Sequence, residues 1–358
     1  MTDLLYSDTE DDLRAAVRAL LADRAGHRAV LDRIETDDPY LPGLWKSLAA
    51  DIGAAGLLVP EKLGGQGATH REAAVVLEEL GGAVTPVPYL TSAVVATETL
   101  LALAGGSDAA AELLAGLAGG RTVAVLAVPL TTPPGAEPPY GPPVTGVADA
   151  TAADVLLVPR ADGLHAVPAA EAVVEPLTPL DLTRPLARVT AGPGTGTRLA
   201  GPEASAAAIG RGLLAGAGLL ASEQLGLATW CLEETVRHTR ERHQFNRPVG
   251  SFQALKHRMA QLWLDVVGAR AAARAAADAL ATGAPDAPLT VAVAQAHCSR
   301  VAVRAAEECV QLHGGIGMTW EHPAHLALKR AKADQLALGS PGRHQDALAA
   351  LADLPAPR

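Results

Sequence analysis

The sequence predicts a mainly α-helical protein with a small β domain in its middle. Apolar residues recur at intervals of three and four before residue 120, and again after residue 202. Between them, short β-branched runs alternate with Pro and Gly. After Glu203 the helical period holds through four segments separated by breakers, the pattern of an up-down four-helix bundle. Three domains are expected: N-terminal all-α over 1–120, β over 121–201, and a C-terminal helical bundle over 202–358. A chain of 358 residues is long enough for two or three such units.

The first helix is expected over 7–22. Ser7 or Thr9 can cap it, acids fill its first turn, and Leu13, Val17, Leu20 and Leu21 share a face. A second is expected over 44–55, ahead of a loop holding Gly64, Gly65 and Gly67. That GGxG follows no strand and precedes no Lys, so it is not read as a phosphate loop. Helices over 71–81, 91–104 and 108–117 complete the first domain. Strands are expected over 122–128, 155–159, 164–167 and 187–190, and seven prolines make 129–143 irregular. The bundle helices are expected over 203–240, 251–281, 288–312 and 323–336.

A net charge of −10 argues against general nucleic-acid binding. Aromatics make up 3% of the chain while Ala and Gly abound, which favours close helix packing on small side chains. Cys231, Cys298 and Cys309 are odd in number and form no C-x-x-C, so a reducing compartment suits them and no disulfide frame is implied. The acidic start MTDLLYSDTEDD is unlike a signal or transit peptide, and no run approaches about 18 apolar residues, so a cytoplasmic protein is expected. His297, His313, His322, His325 and His344 form no HExxH or other ligand spacing, and no metal is expected.

The most informative stretch is RHQFNRPVGSFQALKHRMAQ, from Arg242 to Gln261. It joins a charged segment and a Pro/Gly turn to a helix on which Phe252, Leu255, Met259, Leu262 and Val266 recur at three and four. By spacing alone it is a helix hairpin with a charged turn, or an Arg presented to a phosphate or carboxylate. Its residues add a resemblance. Arg242, Gln244, Phe245, Pro248, Phe252, Gln253 and His257 resemble the R-x-Q-F-G-x-P-x-x-x-F-Q-x-x-x-H run of acyl-CoA dehydrogenases, with Asn246 in place of Gly. Gln311, Gly314, Gly315, Gly317, Thr319, Glu321 and Pro323 resemble the family's Q-x-x-G-G-x-G-x-T-x-E-x-P segment. The GLLVPEKLGGQG segment resembles the one that closes one side of the acyl pocket there.

The resemblance implies an acyl-CoA dehydrogenase-like fold and α,β-dehydrogenation of an acyl-CoA thioester with FAD. It implies that Arg242 and Gln244 face the FAD pyrophosphate, that Phe245 packs on the cofactor, and that Gln253, Gln311, Gly314 and Gly315 hold its adenosine and pyrophosphate portion. In the family this half-site serves a neighbouring subunit. An oligomer is therefore implied, with the face bearing Phe252, Leu255 and Met259 expected to meet another subunit.

Three departures qualify it. Leu338 stands where the family usually has its catalytic Glu, and Gly216 stands at the alternative position, so no catalytic residue is assigned. Glu321 and Asp334 are the nearest carboxylates in sequence, and Glu223 is expected to be structural. The family's Gly-Ser-Asp flavin loop is replaced by PLTTPPGAEPPYGPP, and its flavin-strand Trp is absent. The chain thus resembles the base-lacking subunit of heteromeric acyl-CoA dehydrogenases, some of which act on steroid side-chain thioesters. A self-sufficient homomer with a relocated base and a flavin-free scaffold remain alternatives. His322 and His325, within WEHPAHL, match a variant found in a subset of the family.

Overall fold

The computed structural model describes residues 4–41 and 43–354. α1 (Asp8–Arg24) begins in a capping box: the Glu10 amide donates to the Ser7 hydroxyl and the Ser7 amide to the Glu10 carboxylate. α2 (His27–Arg33) follows; the sequence reading missed it because its one short turn of apolar residues shows no period. The helix expected over 44–55 is broken. It winds as α, then π, until Gly53 turns left-handed at φ +79° and a 3₁₀ turn takes over. α3 (His70–Ala83) opens in a second capping box, of Thr69 and Glu72. α4 (Tyr89–Leu101) is π-wound over its first eight residues and almost wholly buried. α5 (Asp108–Ala118) is capped by Ser107.

Seven strands follow: β1 (Ala124–Leu126), β2 (Val144–Ala148), β3 (Val155–Arg160), β4 (Gly163–Pro168), β5 (Ala172–Leu177), β6 (Leu186–Ala191) and β7 (Thr197–Ala200). They make two sheets, ordered β1-β3-β4-β7 and β2-β6-β5, with β1 and β3 parallel and the other pairs antiparallel. Val125, Val147, Leu156, Val158, Val167 and Val189 form a core of their own. β2, β5 and β7 are the strands absent from the sequence reading. They are short, and β5 and β7 are largely exposed, so their hydrophobic signal is weak.

The bundle is built on α6 (Pro202–Glu241), α7 (Gln253–Thr282) and α8 (Ala287–His313), each packed on the other two. α9 (Ala324–Asp334) and α10 (Pro341–Leu351) both pack on α8. α10, capped by Ser340, lay beyond the last helix expected. The whole is the mainly α, small-β architecture that the sequence predicts.

α6 also crosses α3 at backbone contact. A Cβ on Gly226 would overlap the Glu78 carbonyl, and one on Gly81 the Glu223 carbonyl. Small residues thus set the helix spacing, as the composition suggested. α6 is long and apolar enough to cross a membrane, contrary to the expectation of no such run. However, 67% of its most apolar window is buried inside the protein, as befits the core helix of a bundle.

α1 is fastened to α3 by Arg14 and Arg18, which pair with Glu78 and Glu79, and at its start by a buried carboxylate. Buried Glu10 receives Arg71 and Arg274, each at 3.0 Å, from α3 and α7. Burial pushes its pKa up, but hydrogen bonds from Arg71 and Ser7, with the Arg274 charge, outweigh burial and hold it at about 2. The folded value lies below the ordinary 4.5, so the stability it confers is present above pH 4.5 and is lost as pH falls towards 2. Glu10→Gln should therefore cost about 2–3 kcal/mol at neutral pH. In denaturant titrations the gap from wild type should narrow steadily below pH 4.5.

Candidate active site

Leu338, on the turn after α9, is buried and left-handed at φ +54°. Its amide donates to the Leu130 carbonyl at 2.7 Å, and its own carbonyl lies 3.0 Å from His344 Nε2. Gly216 sits in the middle of α6. A Cβ placed on it would lie 3.1 Å from Leu338 Cδ1 and 2.6 Å from Val95 Cγ2. The two positions that the sequence offered as alternatives for a base are therefore neighbours, and α4 closes against both. Leu90, Val95, Val128, Leu130, Leu213 and Leu338 line the remaining pocket, of about 30 Å³, room for about two waters. Its lining contains no carboxylate, and its one polar side chain, Thr91, donates to buried Asp149 at 2.7 Å.

The proline-rich segment is drawn across this place. The Leu130 amide donates to the Gly146 carbonyl at 2.8 Å, while the Leu130 carbonyl takes Leu338. Both backbone groups of Leu130 are thus bonded to this chain's own neighbours.

The carboxylates nearest in sequence are not free to act here. Glu321 is exposed. Glu223, on α6, is gripped by Arg184 at 2.6 and 2.7 Å and by Arg330 at 2.5 Å. Arg184 also holds Asp334 at 2.7 Å, and Arg330 holds Asp181 at 2.5 Å. All five are buried. Burial acts to raise the pKa of Glu223, but Arg184 and Arg330 outweigh it and hold the carboxyl below its usual range. Burial and the neighbouring Glu223 charge push Asp334 up to about 8. Two guanidinium groups contact three carboxylates, with buried Asp149 close by, so the cluster has an excess of negative charge that a retained proton relieves. Asp334 is where it belongs, because its Oδ2 is buried and has no hydrogen-bond partner among the described residues.

The residues of the flavin-type blocks behave in the opposite way. Arg242 caps the C-terminus of α6. A tight hairpin follows, β8 (His243–Gln244) and β9 (Arg247–Pro248), with Phe245 and Asn246 left-handed at its tip. Asn tolerates that conformation better than most residues, so its presence in place of Gly leaves the turn intact. Phe245 is 86% exposed and meets Phe252 edge-on at 6.0 Å, while Arg247 lies over the other Phe252 face. Arg242, Gln244, Gln253, Gln311, Gly314 and Gly315 are all exposed. Gly314 is left-handed, and a Cβ on Gly314 or Gly315 would meet nothing within 4 Å. The two blocks come together through an unforeseen contact. His238, one turn before Arg242, stacks on His313, which lies between Gln311 and Gly314, with ring centroids 4.2 Å apart.

An open edge with a guanidinium, amides and bare glycine backbone suits a phosphate-bearing cofactor approaching from outside. It fits the pyrophosphate half of a flavin dinucleotide; the closed pocket at Leu338 does not fit the ring half. The face expected to meet another subunit is only partly available, since Phe252, Leu255 and Met259 are half-buried and the Thr239 hydroxyl bonds the Met259 sulfur. The exposed apolar residues on α7 are Trp263, Leu264 and Val267, one to two turns further on.

One cluster escaped the sequence reading. Glu234, His313 and His322 each bring a donor atom within 4.8 Å of the others, although 88 residues separate the first from the last.

Known proteins fit this architecture. Residues 7–121 match the model for the acyl-CoA dehydrogenase N-terminal domain, and residues 206–351 the model for its C-terminal domain. The chain is 36% identical over 337 residues to acyl-CoA dehydrogenase IpdE2 of Mycolicibacterium smegmatis, covering 94% of this chain and 96% of that one. Among solved structures it is similar to the ChsE4–ChsE5 complex from Mycobacterium tuberculosis, at 25% identity and a TM-score of 0.86, over 99% of this chain and 100% of that one. It is also similar to a variant of the Tcur3481–Tcur3483 steroid ACAD, at 27% identity and a TM-score of 0.83, over 97% and 98% of the two chains.

The buried cluster makes a discriminating prediction. Asp334→Asn replaces a carboxyl that keeps its proton and should cost under about 1 kcal/mol. Glu223→Gln removes the anion shared by two buried guanidinium groups and should cost about 3–5 kcal/mol. Chemical denaturation of both variants checks this, and equal losses would place the proton elsewhere.

Proposed function

The chain belongs to the acyl-CoA dehydrogenase family, and from that membership we propose that it is the partner subunit of a heteromeric enzyme acting on an acyl-CoA thioester. It lends part of an FAD site at a subunit interface and supplies no base. One observation carries this reading: the two base positions, Leu338 and Gly216, are neighbours that carry no carboxylate, the apolar pocket left beside Leu338 is only about 30 Å³, and the cofactor-block residues stand exposed. The reaction needs a carboxylate to take the α-proton. Bound FAD supplies the acceptor for the hydride from the β-carbon. On this chain Arg242 and Gln244 would hold the pyrophosphate, Phe245 would pack on the cofactor, and Gln253, Gln311, Gly314 and Gly315 would receive its adenosine end. A partner bearing the Glu completes the site.

The likeness to a two-protein complex and to a steroid ACAD supports the heteromer and points to CoA thioesters of steroid degradation products as the substrate class. The exposed Trp263, flanked by exposed Leu264 and Val267, supports contact through the bundle, since aromatic residues are enriched at interfaces.

The test is turnover by the purified lone chain against short, long and steroid side-chain acyl-CoA thioesters with an artificial acceptor. Negligible flavin reduction is expected. Leu338→Glu should not rescue it, because the pocket has no room for a thioester. Robust turnover by the lone chain would sink the reading. In the complex with its partner, Arg242→Ala should weaken FAD retention by about 1.5–3 kcal/mol, read as flavin content under limiting FAD.

A further inference from the structure

Three side chains that dehydrogenation leaves without a task meet where α8 ends. His313 is the last residue of α8, His322 lies in the segment leading to α9, and Glu234 is two turns from the end of α6. Glu234 Oε1 is 3.6 Å from His313 Nε2 and 3.7 Å from His322 Nε2. Donor atoms bound at about 2.1 Å around a tetrahedral ion stand about 3.4 Å apart. Both Glu234–His edges are within a few tenths of an ångström of that, and all three donor atoms lie within 4.8 Å of one another.

His313 is prepared for such a ligand. Its Nδ1–H donates to the Cys309 carbonyl at 2.6 Å, so in the neutral ring Nε2 carries the lone pair, and the ion displaces a proton that Glu234 would otherwise face. A backbone carbonyl behind the imidazole is the usual outer support of a metal-bound histidine. The His313 side chain is fully buried, and Nε2 has no hydrogen-bond partner among the described residues. A buried acceptor left unpaired costs about 1–3 kcal/mol, so the atom points to a ligand.

We propose that Glu234, His313 and His322 form a three-ligand site for a divalent d-block cation of the zinc class, with water in the fourth position. Two imidazoles and one carboxylate are a borderline donor set, which disfavours Ca²⁺ and Mg²⁺. Two contacts compete with the ion and weaken its hold. Arg237 holds both oxygens of Glu234, at 2.5 and 2.9 Å, and His322 Nδ1 accepts the Ala324 amide at 3.2 Å, a bond that coordination through Nε2 gives up. The bound ion ties α6, the end of α8 and the glycine turn at Gly314 and Gly315 into one unit. The site stands whether or not the partner-subunit reading does.

The experiment is a titration of the tag-free full chain with Co²⁺, followed by displacement with Zn²⁺. Saturable uptake of one Co²⁺ per chain with visible d–d absorption is expected, lost on adding Zn²⁺. His322→Gln and Glu234→Gln should each weaken uptake about tenfold or more. His322 is half-buried, so His322→Gln is the decisive variant if His313→Ala fails to fold, with circular dichroism confirming its helices. No saturable uptake overturns the site. So does uptake unchanged in His322→Gln, or equally weakened by His297→Gln at an exposed histidine.

Discussion

The grip of Arg184 and Arg330 on Glu223 is the constraint from which the rest of the interior follows. Arg184 comes from the turn between β5 and β6, Glu223 from the middle of α6, and Arg330 and Asp334 from α9. Three segments far apart in sequence are thus pinned at one buried point, and none of the charges has water to fall back on. Removing charge from such a cluster strands the remainder, so it acts as a whole. A second bolt lies nearby: Asp149 accepts from Tyr40 at 2.8 Å and from Thr91 at 2.7 Å, which joins the start of the chain and α4 to the β sheets.

Pinning α9 decides what happens four residues after it ends. The chain leaves Asp334 and reaches Leu338 in a left-handed conformation that a bulky side chain adopts at a cost of about 1–2 kcal/mol. The strain is held in place by the bond to Leu130 on one side and the contact of the Leu338 carbonyl with His344 on the other. The turn keeps its shape although it carries no ionisable group. Leu338 therefore acts as a packing element, at the position where the sequence reading looked for a carboxylate.

How much of this could be read beforehand depended on the range of the interactions. Periodicity placed α6, α7 and α8 to within a few residues, because each has one continuous buried stripe. Leu338 and Gly216 were legible as positions without a carboxylate, but not as neighbours, since that requires α9 to be docked on the bundle. Strand β5 hid behind alternate exposure, and the break at Gly53 hid inside an apolar run. The charge cluster and the gathering of Glu234, His313 and His322 were beyond reach, because their members lie scattered along the chain. Short-range grammar reveals helices and turns; the chemistry of the buried polar groups is decided by tertiary contacts.

Under the proposed division of labour, the closed pocket and the open edge have one cause. A working acyl site must keep a carboxylate in apolar surroundings and a cavity wide enough for a thioester, and both cost stability. A subunit whose partner supplies the base is released from that cost. Val95, Leu130 and Leu338 can then collapse together, burying apolar surface worth roughly 25 cal/mol per Å². No such release applies to the outer edge, because its residues are used only when another chain faces them. Phe245 keeps its exposure, Asn246 keeps the left-handed turn, and Gly314 and Gly315 keep their bare backbone. The interior has been free to optimise packing, while the surface remains shaped by a ligand held between chains.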